Sequence, residues 1–248
     1  MLRILLGANL LVAAAALLLA PRLEDWPQRL VELATWCEPL AALPIRPALP
    51  PRDEANTEAR AAIAVQALRA LAQRQLLSAR REVGFGALAL YGWIEQRLKQ
   101  LWVVPPDRRR RAGRAVLVTR NDYAARLYNG DVGLCLAEPD GSLRVWFETV
   151  DEHGRASARS FAPGTLPPHE GGFAITVHKS QGSEYALAAV LLPPDPEHRL
   201  LSRQLLYTGL SRAKRQVELW GAGEAVAAAL DRPVQRAGGL AARLLAGR

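Results

Sequence analysis

Between residues 173 and 231 the chain alternates apolar and polar runs at a short, regular beat. FAITV gives way to HKSQGSE, AAVLLP follows, SRQLLYTGLSRAKR comes next, and VELWG leads into GEAVAAALD. Short runs apolar throughout predict strands buried on both faces, and the longer mixed runs between them predict helices. The fold class expected is therefore α/β, a parallel sheet covered by helices on both faces. Upstream, Ile63, Leu68, Leu71 and Leu76 recur at helical spacing. They predict one long helix over roughly 57–80, with Thr57 as its N-cap and Gly84 beyond its end. A second helix is predicted over 87–98, and a short strand, AVLV, over 115–118. From 131 to 168 the texture changes to brief alternating runs punctuated by Asn129-Gly130, Asp140-Gly141 and Gly154. Those are hairpin signals, and they predict a small antiparallel β module.

Two segments fit neither pattern. In residues 22–51, Pro27, Pro39, Pro44, Pro47, Pro50 and Pro51 should cut any helix short. The first twenty residues are nearly all apolar after Arg3, broken only by Gly7 and Asn9. That run suits a signal peptide or anchor, or a segment packed against a neighbour. The expected organisation is an Ala/Leu- and Pro-rich segment (1–56), a helical layer (57–114), an α/β domain (115–130 with 169–248), and a β insertion (131–168).

Charge adds a partner class. The 248 residues carry a formal net charge of +8, which favours a polyanion: nucleic acid before an acidic membrane surface. Only Lys99, Lys179 and Lys214 are lysines. The remaining cations are Arg in an Ala-rich chain, a bias that GC-rich coding also produces. The proline-bounded PPDRRRRAGR loop is either a solvated link or a phosphate contact. Cys37 and Cys135 have no second Cys or His at ligand spacing, so no metal site is expected, and a reduced, cytoplasmic protein is the simpler reading.

The chemistry concentrates in two stretches. Residues 178–184 lie just past a predicted strand end, where parallel sheets bind ligands. Lys179 can neutralise a phosphate, Ser180, Gln181 and Ser183 offer neutral hydrogen bonds, and Gly182 lets backbone approach a ligand. Glu184 suits sugar hydroxyls or a neighbouring cation. A plain polar turn would also account for the run. In the second stretch, 205–221, a helix would bring Thr208, Ser211, Arg212 and Arg215 along one side. Such an Arg suits charge building on a transferring phosphoryl group. A basic, solvated helix face is the bland alternative.

Together, TVHKSQGSE followed by LLYTGLSRAKRQV resembles motifs V and VI of superfamily 1 helicases. Upstream, LVTRNDYAARLYNGDVGL resembles the motif IV neighbourhood of the RecD-like branch, and the likeness extends over roughly 70–240. The resemblance implies a second RecA-like motor domain with an SH3-like barrel inserted. It implies ATP with Mg2+ as cofactor, shared with a first motor domain, single-stranded DNA as substrate, and the subunits of a RecBCD-type helicase–nuclease as partners. By position, Arg212 would be the arginine finger. Gly182, Glu184, Tyr207, Thr208 and Arg215 would lie at the nucleotide, with Tyr207 and Thr208 orienting the finger. Arg120, Asn121, Thr176, His178, Lys179, Ser180 and Gln181 would lie near DNA.

One element is missing. A motor needs a G-x-x-x-x-G-K-[ST] phosphate loop, yet no Lys in the chain follows a Gly. The expectation is that the isolated chain hydrolyses no ATP, the first motor domain being absent or supplied by another polypeptide. The competing expectation is a non-catalytic module binding nucleic acid or helicase subunits.

Overall fold

The computed structural model describes residues 2–5, 26–82, 86–102 and 112–233. Among them, one sheet has the order β1-β10-β9-β2-β8. Its strands are β1 (Leu2–Leu5), β2 (Arg74–Ser78), β8 (Ala174–Thr176), β9 (Tyr185–Leu191) and β10 (Ala213–Trp220). β10, β9, β2 and β8 run parallel; β1 lies antiparallel on β10 at the edge. Helices α1 (Trp26–Ala41), α2 (Thr57–Leu71) and α3 (Ala87–Leu101) cover one face, and α4 (Arg203–Leu210) and α5 (Gly223–Asp231) cover the other. Successive strand residues point to opposite faces. Leu76 thus joins the α1–α3 core while Leu77 joins the α4–α5 core. The α/β sheet with helices on both faces is as expected.

Three local expectations give way to longer-range pairing. First, the helix predicted to run to about residue 80 stops at Leu71, and Thr57 is its first residue rather than its cap. Residues 74–78 form a central strand, hydrogen-bonded to β8 on one side and β9 on the other. A short apolar run buried on both faces has no periodicity to separate strand from helix. Gln75 is buried there because its Nε2 donates to the carbonyls of Gly172 and Phe173, at 3.2 and 3.0 Å. Second, α1 spans 16 residues despite its prolines. Pro27 falls in the first turn, where no N–H is needed, while Pro39 lies inside the last turn and removes one N–H there, with only two helical residues beyond it. Third, the helix drawn through Arg215 ends at Leu210, and Ala213–Trp220 is already strand.

The second sheet is antiparallel, ordered β6-β5-β4-β3-β7: β3 (Ala115–Val118), β4 (Val132–Ala137), β5 (Leu143–Val150), β6 (Ala156–Phe161) and β7 (His169–Gly171). The β module is therefore larger than the 131–168 expected. Strand 115–118, assigned to the parallel sheet, pairs with β4 and β7 instead. The turns came where the Gly signals put them: Gly141 and Gly154 have φ of +78° and +73°, closing the β4–β5 and β5–β6 hairpins. Among the described residues no β6–β7 ladder closes this sheet into a barrel.

Both sheets share one core. Leu134, Leu136 and Trp146 from the antiparallel sheet cluster with Leu76, Ala174 and Leu191 from the parallel one, around α1–α3. A buried ion pair crosses the joint, from Arg60 on α2 to Glu138 after β4. Arg60 also donates to the Pro50 carbonyl at 2.6 Å and lies 5.6 Å from the centre of the Trp146 ring. Cys37 and Cys135 are buried, and burial pushes the Cys37 thiol up to about 12, leaving it inert near neutral pH. Among the described residues no helix is long and apolar enough to cross a membrane, and no cluster of His, Cys, Asp and Glu could hold a metal. The basic 105–111 stretch and most of the first twenty residues lie outside the described residues, apart from β1.

Candidate functional site

β8 and β9 are parallel and separated by β2, so the connection between them must return from the carboxyl end of one to the amino end of the other. Thr176 is level with Ser78, and Ser78 with Leu191. The return to Tyr185 thus covers six residues of strand, about 20 Å. Residues 177–184 make that passage as helical turns: Ser180 N–H donates to Thr176 O at 3.2 Å, Gln181 N–H to His178 O at 3.3 Å, and Ser183 N–H to Ser180 O at 3.0 Å. Gly182, at φ +88°, supplies the left-handed residue that ends the turns, with open space around it. The polar run expected to form one site at a strand end therefore serves two ends of the sheet.

At the carboxyl end, Thr176 Oγ1 accepts from Lys179 N–H at 3.3 Å, and His178 is exposed beside it. Two expectations fail here. Ser180 is fully buried and donates its hydroxyl to the Val177 carbonyl at 2.7 Å, so it closes the turn and faces no DNA. Lys179 is half-buried and ion-paired with Glu170 of β7, which Arg81 also approaches at 3.6 Å. Its charge is already answered. Replacing Ser180 with Ala should cost about 1 kcal/mol of stability, the worth of one hydrogen bond, and leave oligonucleotide affinity unchanged. Denaturant midpoints and fluorescence anisotropy check this; lower affinity at unaltered stability would return Ser180 to the DNA face.

At the amino end the two sequence motifs meet. Tyr185 N–H donates to Arg212 O at 2.8 Å. Arg212 lies in the turn after α4, which begins with the Ser202 hydroxyl accepting Leu205 N–H at 3.2 Å. The carbonyl-rich carboxyl end of a helix attracts a cation. Accordingly Arg212 Nε donates to Thr208 O at 3.1 Å, Nη1 to Ser183 O at 3.2 Å, and Nη2 to Ser211 Oγ at 2.9 Å. All three acceptors are neutral. Among the described residues no carboxylate pairs with this guanidinium. Three of its five N–H groups are used, which leaves one on each terminal nitrogen and an unbalanced positive charge for an anion.

Around it, Glu184 is exposed and paired with Lys214 at 2.9 Å. Thr208 holds the guanidinium through its backbone carbonyl, whereas Tyr207 is 75% exposed and, among the described residues, no hydrogen bond joins its side chain to Arg212. Arg215 is exposed on β10, where the register with β9 slips between Ala213 and Gln216; no bond joins it to Arg212 among the described residues. A cleft of about 280 Å3 opens between Ser183–Tyr185 and the antiparallel sheet at Asp131 and Phe147. Gln181 is exposed on the connection, and Arg120 and Asn121 are exposed on the loop after β3. Sequence reading gave no role to Lys214, Glu170 or Arg81. Their partners lie in other elements, and no local pattern marks them.

Residues 171–219 match the UvrD-like helicase C-terminal domain. The chain is 41% identical over 182 residues to the RecBCD enzyme subunit RecD of Mycobacterium tuberculosis (strain CDC 1551 / Oshkosh), covering 72% of this chain and 30% of that protein. It is 35% identical over 124 residues to the ATP-dependent RecD2 DNA helicase of Deinococcus radiodurans, covering 49% of this chain and 16% of the relative. A Bacteroides Pif1 structure bound to single-stranded DNA shares 20% identity over 45% of this chain and 29% of that one; its TM-score of 0.26 is too low to bear on the fold. The chain thus spans about 30% of the length of its mycobacterial relative. With the matched span holding both meeting motifs, this chain carries a RecD-like superfamily 1 helicase C-terminal region.

Proposed function

We propose that this chain is the second motor domain of a RecD-type, ATP-dependent 5′-to-3′ DNA helicase subunit acting in double-strand-break repair and recombination. Arg212 serves as its arginine finger. The observation that carries this reading is the state of that side chain: fixed by three neutral acceptors, partly exposed, and without a countercharge among the described residues. A guanidinium so held suits an oxyanion arriving from outside the chain. Bound ATP with Mg2+ would supply the transferring phosphoryl group, and Arg212 would neutralise charge developing on it. Glu184 and Gly182 would border the nucleotide, with Glu184 held in an exposed ion pair with Lys214. Thr176, His178 and Gln181 would face single-stranded DNA from the other end of the same connection.

The sequence contains no phosphate loop, since no Lys follows a Gly. A first RecA-like motor domain must then grip the nucleotide, alone or among the other subunits of a RecBCD-type assembly in the cytoplasm. The same fact favours a second reading for the isolated chain: a non-catalytic module that binds nucleic acid or helicase subunits. Titrating the chain into a phosphate-loop-bearing RecD first motor domain with Mg-ATP and oligo-dT separates the two. DNA-stimulated phosphate release is expected only when both are present. Turnover by the chain alone, or none in the mixture despite complex formation, would refute the motor assignment.

A further inference from the structure

The loop between β3 and β4 holds two tyrosines in the open. Tyr123 is 74% exposed and Tyr128 47%, and their rings meet edge to face with centroids 6.2 Å apart. Water does not favour displaying two aromatic rings, and this loop is built so that they stay displayed. Asp122 and Leu127 exchange backbone hydrogen bonds at 2.7 and 3.0 Å, and Asp122 Oδ1 accepts Ala125 N–H at 2.9 Å. Between them Arg126 is held at φ +49°, a left-handed conformation that strains a non-glycine residue. Leu127, 1% exposed, plugs the loop into the core of the antiparallel sheet. The Asn121 amide is spent inside the loop: Oδ1 accepts Asn129 N–H at 2.8 Å, and Nδ2 donates to the Tyr123 hydroxyl at 3.2 Å. Asn121, expected to touch nucleic acid, instead positions the Tyr123 ring.

Charge and position indicate what such rings meet. Arg120 and Arg126 are exposed on the same loop, and among the described residues neither has a carboxylate partner. The Asp122 carboxylate, the acid between them, is engaged with Ala125. The loop ends at Gly130, whose Cβ position would lie 3.9 Å from the Lys179 carbonyl, so it abuts the 177–184 connection. Paired aromatic faces flanked by unpaired cations are how proteins hold single strands without reading sequence: bases stack while arginines track phosphates. We propose that Tyr123 and Tyr128 form a base-stacking platform for single-stranded DNA, with Arg120 and Arg126 on its backbone. The platform would extend the strand's path from the carboxyl end of the parallel sheet onto the antiparallel sheet. This rests on the DNA-binding half of the function proposed above.

Anisotropy of a labelled dT 20-mer against the purified full chain tests it, with an abasic strand of equal length as the second probe. Tyr123→Ala/Tyr128→Ala should weaken dT binding about tenfold or more, since stacking is worth about 1–3 kcal/mol per base. The salt dependence should not change, because no cation is lost. Tyr123→Phe/Tyr128→Phe should bind within about twofold of the parent, and the abasic strand should bind parent and Ala variant alike. An Ala variant that binds dT as tightly as the parent overturns the platform while leaving DNA binding intact. Absence of binding by the parent overturns both. Loss of helicase-subunit capture with dT affinity retained would assign the rings to a protein interface, and that too overturns the proposal.

Discussion

Arg212→Ala is expected to lower ATP turnover of the reassembled motor by about a thousandfold or more, the range in which arginine fingers act. The loss should fall on kcat with KM for ATP little changed, because in the proposed role the spare N–H groups would meet charge that develops only as the phosphoryl group transfers. Arg212→Lys should recover little. An ammonium keeps the charge but cannot hold the Thr208 and Ser183 carbonyls together while also presenting a forked pair of donors. Stability separates this from simple misfolding. The side chain is partly exposed and its acceptors can turn to water, so the unfolding midpoint of the Ala variant should remain close to the parent's. Turnover within tenfold of the parent at matched DNA stimulation would remove Arg212 from the chemistry.

The second large effect concerns stability. Arg60 and Glu138 are buried together, each side chain about 4% exposed, and Glu138 Oε1 finds no hydrogen-bond partner among the described residues. Removing either partner strands a charge in the shared core. Arg60→Met or Glu138→Ala should each cost about 3–5 kcal/mol, read as a fall in urea midpoint at constant m value. Arg60→Met/Glu138→Leu should recover most of that loss, because apolar side chains of similar volume commonly replace a buried pair without penalty. The single changes should act on both sheets at once, since the pair sits where α2 meets the antiparallel sheet. If each single change costs under about 1 kcal/mol, the pair is solvated and the joint between the sheets is held by packing alone.

The parallel sheet was legible from sequence wherever its strands and helices alternate locally. Strands 174–176, 185–191 and 213–220 each overlap an apolar run that marked them, although the last two begin three and four residues earlier, the latter inside the segment read as helix. Strand 74–78 was not, because its identity comes from two parallel neighbours about 100 residues away, and a five-residue run carries no period that could announce them. The same holds for 115–118, an apolar run that fits either sheet until β4 and β7 claim it. At the site, residue types pointed to the correct stretches but not to the direction of each side chain. Ser180 reads as a donor and turns inward; Lys179 reads as a free cation and finds Glu170 nine residues back. The tyrosines at 123 and 128 lie in the stretch that resembles motif IV, but the residue pattern gave them no role, and it is their exposure together that sets them apart.

The 177–184 connection has a mechanical consequence. Its own turns are hydrogen-bonded, Val177 N–H is tied to Ser78 O at 3.0 Å, and Ser180 anchors it from within. Such a piece has little slack, and it shifts as a strut rather than flexing like a cord. Whatever moves His178 at one end must also alter where Ser183 places the guanidinium at the other, with no relay of intermediate groups.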